Sequence, residues 1–287
     1  MVRCRGCGLL YVGARRRDFT FAATNPALSR ALGAEVDRLG IVDRALAASG
    51  HDSTSRAYER LARVCRHRTG GRLLDVGACD GAFVAVAGQA FRATGIEPDP
   101  GTSARARQRG LDVRTEALGS LAAVPQWDVV TMFHVLEHLD SPRVALRQVR
   151  RLLAPGGLLV IETPTVENPW FALAPGRWRQ LIPDHYWFFS PATLSRLLSA
   201  CGLRALEWGT VGSEVSLRFA ADRLRRAGIP GAGVLSRRLA DTSLADRRLV
   251  LNPRDIMQVI AVPTEPQQSA NLSPESAALW LSMDDRR

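Results

Sequence analysis

Apolar residues recur three or four positions apart in two early stretches, NPALSRALGAEVDRLG (25–40) and STSRAYERLARVCRHR (53–68). That period predicts amphipathic helices, so residues 15–70 are expected to form a helical, arginine-rich lead-in, with Ser53 to Ser55 offering N-caps for the second helix. At Gly70 and Gly71 the pattern changes. RLLDVG is a short apolar run ending in a turn, AFVAVAGQA fits a helix, and ATGIEP is another short strand, which together make a β-α-β unit. WDVVTMF is a further strand, SPRVALRQVRRLLA a helix, PGG a turn and LLVIETP the next strand. Strands alternating with helices predict an α/β domain over 71–262 with a mostly parallel sheet covered by helices on both faces.

After Pro164 the regularity breaks. Residues 166–190 are rich in aromatics and punctuated by proline, and read as a long functional loop. SPATLSRLLSACG restores a helix with Ser190 as N-cap, Pro191 in its first turn and Gly202 past its end. LRALEWGTV and IMQVIAVP are the last two strands, separated by a basic insertion over 213–252 whose helical pattern is weak. Residues 263–287 read as a disordered tail, with a short helix in SPESAALWLSM. No internal repeat is visible.

A chain of 287 residues, 46% of them hydrophobic, holds one main core. No apolar run approaches the roughly 20 residues of a bilayer span, and MVRCRGCGLL has none of the features of a secretory signal, so a cytoplasmic protein is the expectation. The formal net charge of +10 invites a nucleic-acid partner. Every basic side chain is arginine, however, a bias that genomic composition explains as well as a partner does, and no dedicated nucleic-acid surface is assigned. Five cysteines, an odd number, argue against a disulfide framework, and Cys65 and Cys201 read as small buried hydrophobes. Cys4 and Cys7 differ. Their CxxC spacing suits zinc, yet a closed site needs four ligands, so residues 1–14 hold half a zinc ribbon.

The stretch LLDVGACDGAF (73–83) raises the question of a cofactor. Strand, turn and helix there place a loop at the carboxyl end of a parallel strand, where open α/β sheets bind ligands. The loop reads D-x-G-x-C-x-G, whereas the dinucleotide fingerprint needs G-x-G-x-x-G, and a P-loop needs a lysine that this chain lacks. An acidic residue at the mouth of the turn suits a ligand with an ammonium group and hydroxyls better than a pyrophosphate.

Four motifs in order, LLDVGACDGAF, GIEPDP, WDVVTMFHVLEHLDSP and LLAPGGLLVIETP, resemble those of the class I S-adenosylmethionine-dependent methyltransferases, in particular a group with an N-terminal CxxC ribbon. The resemblance spans Arg72 to Pro164, and more loosely reaches Val262. It implies a Rossmann-like seven-stranded sheet and S-adenosylmethionine as cofactor. It places Asp75, Gly77, Ala78, Cys79 and Gly81 around the methionine part and Glu97, with Pro98, at the ribose hydroxyls. Glu116 falls where adenine is recognised, and Phe133 and His134 close the pocket. The 22-residue step from Asp75 to Glu97 agrees with the about 20 residues between a glycine turn and its ribose carboxylate. Cys79 departs from the family's glycine; its small side chain is tolerable there provided φ stays negative.

Methyl transfer from a sulfonium needs alignment of the acceptor, exclusion of water and, for some acceptors, a base. In PDHYWFFSP the resemblance places a His-aromatic element over the active site, making His185 the candidate base beside Tyr186, with His134 as a third catalytic candidate; a structural role for His185, capping Ser190 or packing near Trp187, stays open. HVLEH is similar to an acidic/His cluster that binds a divalent metal in some quinone-biosynthesis O-methyltransferases, but His134 takes an acidic position here, and Glu137 and His138 are read as positioning the turn. Trp170, Trp178, Trp187, Phe188 and Phe189 form either an acceptor pocket or lid packing. Cys4 and Cys7 are completed by a pair further upstream, are a relic, or share zinc between two chains. The expectation is a methyltransferase for a small-molecule acceptor such as a sugar, a polysaccharide precursor or a secondary metabolite. RNA or protein methylation, and a non-catalytic cofactor-binding scaffold, are the alternatives.

Overall fold

The computed structural model describes residues 1–12, 53–226, 230–240 and 242–264. The helix expected over 25–40 and the one expected in the tail lie outside the described residues. The chain opens with β1 (Val2–Arg3) and β2 (Leu10–Tyr11), an antiparallel hairpin around the Cys4 to Cys7 turn. Helix α1 (Ser53–Cys65) follows, burying Ala57, Leu61 and Val64 at the four- and three-residue steps of one helical face.

The body of the chain alternates as its pattern implies. Strand β3 (Arg72–Val76) leads to α2 (Ala82–Ala87), β4 (Arg92–Ile96), α3 (Pro100–Gln108), β5 (Val113–Arg114), β6 (Trp127–Phe133), α4 (Pro142–Leu152) and β7 (Leu153–Pro164). The remainder comprises α5 (Pro169–Leu173), β8 (Trp187–Phe188), α6 (Pro191–Ala200), β9 (Leu203–Thr210), β10 (Ser213–Ser216), α7 (Leu217–Arg226), α8 (Ala232–Ala240), β11 (Arg248–Leu251) and β12 (Ile256–Pro263).

Seven strands form one sheet in the order β5-β4-β3-β6-β7-β12-β9, and only β12 runs against its neighbours β7 and β9. Alternate residues of the central strands feed two separate cores, because successive side chains leave a strand on opposite faces. Leu73, Val129, Val160 and Ile260 pack with α1 and α2, whereas Leu74, Val130, Leu159 and Val259 pack with α4 and α6. The sheet is therefore covered on both sides. The order reverses at β3, whose two neighbours lead the chain away in opposite directions, so the crevice at the carboxyl ends of β3 and β6 is the place where such sheets take ligands.

One local expectation needs correction, and two segments gain structure that the pattern left open. PGG does not separate helix from strand: β7 starts at Leu153 and takes the turn in as a bulge, since its pairing with β6 steps from Trp127↔Leu153 to Val129↔Leu158. The basic insertion has regular structure, an antiparallel β10–β11 ribbon carrying α7 and α8. The aromatic segment after Pro164 is also ordered, through α5 and through β8, which pairs with β2 to make a three-stranded sheet. Strand pairing across 177 or so positions of sequence is a tertiary event that local pattern does not encode.

Candidate functional site

Side chains of four strand ends converge in the crevice. Asp75, near the end of β3, is buried and accepts a 2.6 Å hydrogen bond from the Thr131 hydroxyl of the neighbouring β6. Burial raises its carboxyl from 3.8 to about 7, against the opposing effects of that bond and of Arg60. After β3 the chain turns through Gly77, whose φ of 71° belongs to the left-handed region; a Cβ there would stand 2.6 Å from Val135 Cγ2. Gly77 thus lets the loops after β3 and β6 touch. Gly81, with φ of 81°, faces Leu111, Ala106 and Val113, so its missing side chain serves packing of the adjoining layer.

Cys79 overturns one expectation. Its φ is +49°, not negative, and a non-glycine residue is held in the left-handed region at the position of the family's glycine. The residue is exposed, and its thiol is pushed up to about 11 by desolvation first, then by the negative charges of Glu97, Asp75 and Asp80. It is a poor nucleophile at neutral pH.

Most N–H groups of the turn are already used. Gly77 and Ala78 donate to the Ile96 carbonyl, Cys79 to Glu97 Oε2 at 3.1 Å, Gly81 to the Ala78 carbonyl and Ala82 to Asp80 Oδ1. A phosphate would have to break these bonds to be cradled here. What the turn offers a ligand is acceptors and negative charge, from Asp75, Asp80 and Glu97. Glu97, directly after β4, is buried; its second oxygen accepts from the Asp99 N–H at 3.0 Å, while Asp99 itself caps α3 by accepting from the Thr102 N–H at 2.7 Å. Burial pushes the Glu97 carboxyl up, with the Asp99 and Cys79 N–H groups opposing. Each of its oxygens keeps a further lone pair for a hydroxyl. This donor and acceptor set fits an adenosine ribose and an ammonium group. Pro98 is exposed at the rim, and Glu116 is half-buried with its N–H on the Arg114 carbonyl.

A second group lies beyond β6. Phe133 meets Phe83 edge to face at 4.9 Å, and the Arg60 guanidinium stands 4.1 Å above its ring. His134 has a φ of 58°, and its Nδ1 is 3.2 Å from Glu137 Oε1. The other oxygen of Glu137 accepts from Thr163 at 2.9 Å. Burial alone would raise the Glu137 carboxyl; the bond with His134 and the charges of His134 and His138 outweigh it, and the group is held below its ordinary value. Glu137 therefore ties the turn after β6 to β7, as a turn-positioning residue does.

The segment 183–188 folds over this cluster. His138 and His185 meet edge to face at 4.7 Å, and Nδ1 of each lies 2.8 Å from a backbone carbonyl, that of Asp184 and Gln180 respectively. Those carbonyls accept from Nδ1–H, leaving Nε2 of His185 as its basic nitrogen. Burial lowers the His185 imidazole, with Glu137 opposing, so the ring is neutral near pH 7. His185 does not cap Ser190, which caps α6 through a reciprocal pair with Thr193. One donor atom from each of Glu137, His138 and His185 lies within 4.8 Å of the other two, a set able to hold a divalent cation, in which His185 rather than His134 completes the HVLEH residues. Tyr186 is buried and donates its N–H to the Glu137 carbonyl.

The aromatic residues do not form one pocket. Trp178 is buried against Phe171 and Phe188, Phe189 is in the main core, Trp187 donates to the Leu139 carbonyl at 2.7 Å, and Trp170 points outward. The N-terminal hairpin braces this segment: Leu10 and Tyr11 pair with Phe188 and Trp187, and Arg196 donates to the Cys7 carbonyl at 3.0 Å. Cys4 and Cys7 share a hydrogen bond that leaves the Cys7 thiol raised, by burial first, and the Cys4 thiol lowered, by its bonds to the Cys7 and Gly6 N–H groups against burial. Among the described residues no third zinc ligand joins them.

Sequence reasoning missed a polar network beside the pocket. Glu162, near the carboxyl end of β7, accepts from Arg60 Nε at 2.9 Å, from Arg60 Nη2 at 2.7 Å and from Gln258 at 2.9 Å. Burial would raise its carboxyl, but Arg60 and Arg56 hold it down. A lone carboxylate inside an apolar strand is the signal that points to such a partner.

Residues 48–207 match the family model described as a methyltransferase domain. The chain is 34% identical over 153 residues to a probable S-adenosylmethionine-dependent methyltransferase of Mycolicibacterium smegmatis, covering 50% of this chain and 55% of that one. It is 30% identical over 152 residues to the ubiquinone biosynthesis O-methyltransferase of Aeromonas salmonicida, covering 47% and 63%. The matched part thus spans little more than half the length of these curated relatives. Among solved structures, the fold is similar to 1,6-didemethyltoxoflavin-N1-methyltransferase of Burkholderia thailandensis, solved with S-adenosylhomocysteine bound, with a TM-score of 0.50, 18% identity and coverage of 90% and 95%. A methyltransferase of Archaeoglobus fulgidus aligns with a TM-score of 0.50 at 18% identity, covering 72% and 93%.

Proposed function

The chain belongs to the class I S-adenosylmethionine-dependent methyltransferase family, and on that premise we propose that it moves a methyl group from S-adenosylmethionine to a hydroxyl of a small-molecule acceptor. The observation that carries this reading is the turn after β3, most of whose N–H groups are spent internally and whose mouth is lined by the carboxylates of Asp75, Asp80 and Glu97. Such a turn favours a cationic ligand with vicinal hydroxyls over a pyrophosphate.

Asp75, Gly77, Ala78 and Cys79 would hold the amino-acid part, Glu97 and Pro98 the ribose, Glu116 the adenine edge, and Phe133 with His134 the inner wall. When bound, the cofactor supplies an activated methyl group on a cationic sulfur. The chain's own residues align the acceptor, exclude water and receive its proton. His185 is the proposed proton acceptor, because its Nδ1–H is fixed on Gln180 and its neutral ring leaves Nε2 free to take a hydroxyl proton. Tyr186 and His134 are positioning residues beside it: the Tyr186 N–H holds the segment to the Glu137 backbone carbonyl, and His134 fixes the Glu137 carboxylate next to the two histidines. The similarity to proteins named for ubiquinone O-methylation supports oxygen over nitrogen or carbon as the acceptor atom.

Calorimetric titration with S-adenosylmethionine and S-adenosylhomocysteine, beside ATP and NAD, tests the reading. Selective micromolar binding is expected, and its absence from a folded sample would sink it.

A further inference from the structure

The insertion between β9 and β12 carries a surface that methyl transfer does not use. Over residues 213–254 there are nine arginines against four acidic residues, a net +5, which is half of the chain's +10. Two of the acids are engaged within the insertion, Asp222 with Arg225 at 2.6 Å and Asp246 with Arg218 at 3.3 Å. Beside this charge stand apolar side chains facing water. Helix α8 buries Ala232 and sets Gly233 against Arg225 of α7, and it leaves Val234 and Leu235 about half exposed next to the exposed Arg237 and Arg238. Leu224 of α7, Leu244 in the following turn, and Val250 at 69% exposure on β11 add to the same small unit.

On α8, Val234 lies three and four positions from Arg237 and Arg238, and Leu235 three from Arg238, so the four share one side of it, and an apolar side held out in water beside arginine marks an interaction surface. The nature of the surface narrows the partner. A second copy of this chain would bring another +5 against the first. Single-stranded nucleic acid is held by aromatic stacking, and the only aromatic residue in the segment is the half-buried Phe219. Anionic lipid satisfies both features at once: headgroups meet the guanidinium groups while the aliphatic side chains enter the boundary of the acyl region. We infer that the insertion is a peripheral docking surface for an anionic lipid bilayer, with Arg237 and Arg238 at the headgroups and Val234 and Leu235 inserted. This does not depend on the identity of the methyl acceptor.

The test is flotation of the full chain with phosphatidylcholine vesicles containing about 30% phosphatidylglycerol, against pure phosphatidylcholine, at about 0.15 M salt. The protein should float with the anionic vesicles only. Arg237→Glu with Arg238→Glu should weaken binding by more than about 30-fold, since roughly fivefold per neutralised headgroup contact gives about that much before reversal adds to it. Val234→Ser with Leu235→Ser should leave low-salt binding and abolish what persists at about 0.5 M salt, where screening leaves the inserted side chains to act. All four positions are exposed, and unchanged thermal melting checks that the variants fold. No flotation of the folded parent, flotation indifferent to both double variants, or retention on single-stranded RNA without vesicle binding would each overturn the inference.

Discussion

Replacing Asp75 by Asn removes a charge from the floor of the proposed pocket without changing its shape, and the structure sets the sign and size of the result. The Thr131 hydroxyl donates to Asp75 Oδ1 at 2.6 Å, a bond that an amide oxygen accepts equally well. In the native chain the carboxyl titrates at about 7, against 3.8 for the unburied group. A folded-state value raised in this way favours folding fully below the lower value and loses that contribution as pH rises through the upper one. The difference corresponds to at most about 4 kcal/mol. Urea unfolding of the parent should therefore show stability declining between about pH 4 and pH 7 on account of this group, whereas Asp75→Asn is neutral throughout. At pH 8 the variant should be more stable than the parent by a few kcal/mol, and near pH 4 the two should agree within about 1 kcal/mol. If the variant is equally destabilised at both pH values, Asp75 is not an isolated buried acid and the account of the pocket floor is wrong. The same substitution should weaken S-adenosylmethionine binding at pH 8, since an ionised Asp75 is the partner proposed for its ammonium group.

Glu97→Ala should reduce S-adenosylmethionine affinity in calorimetry by more than about tenfold, from the loss of two hydrogen bonds to a charged acceptor; unchanged affinity would remove Glu97 from the ribose. His185→Ala should leave that affinity intact and lower kcat by about 100-fold in an acceptor assay, so undiminished turnover would exclude it as the base. Cys79→Gly relieves a non-glycine φ of +49° and should raise stability by about 0.5 to 1 kcal/mol after the entropy of glycine is counted. A matching Cys79→Ala should not, because alanine carries the same strain; thermal melts of the two variants separate the cases.

The alternation of strands and helices and the location of the crevice were legible because they follow from short-range pattern. Apolar runs ending in glycine turns mark parallel strands, and the 22-residue step from Asp75 to Glu97 places two acids at neighbouring strand ends. The start of α6 at its Ser190 cap was equally local, since a cap is made by residues three apart. Other features were decided only when the chain closed on itself. Whether Cys79 keeps a negative φ depends on how Glu97 and Ile96 grip the turn from the next strand. That His185 joins Glu137 and His138, and that the Cys4 hairpin pairs with Trp187 and Phe188, rest on contacts between positions far apart in sequence. The Arg60 to Glu162 pair, 102 residues apart, is of the same kind. Sequence alone determined the core strands β3, β4, β6 and β7 and the helices α1, α2, α4 and α6, because those choices are made by backbone sterics and burial within a few residues. The tertiary structure decided which charges face one another and which backbone donors are left for a ligand, because both depend on distances that only packing sets.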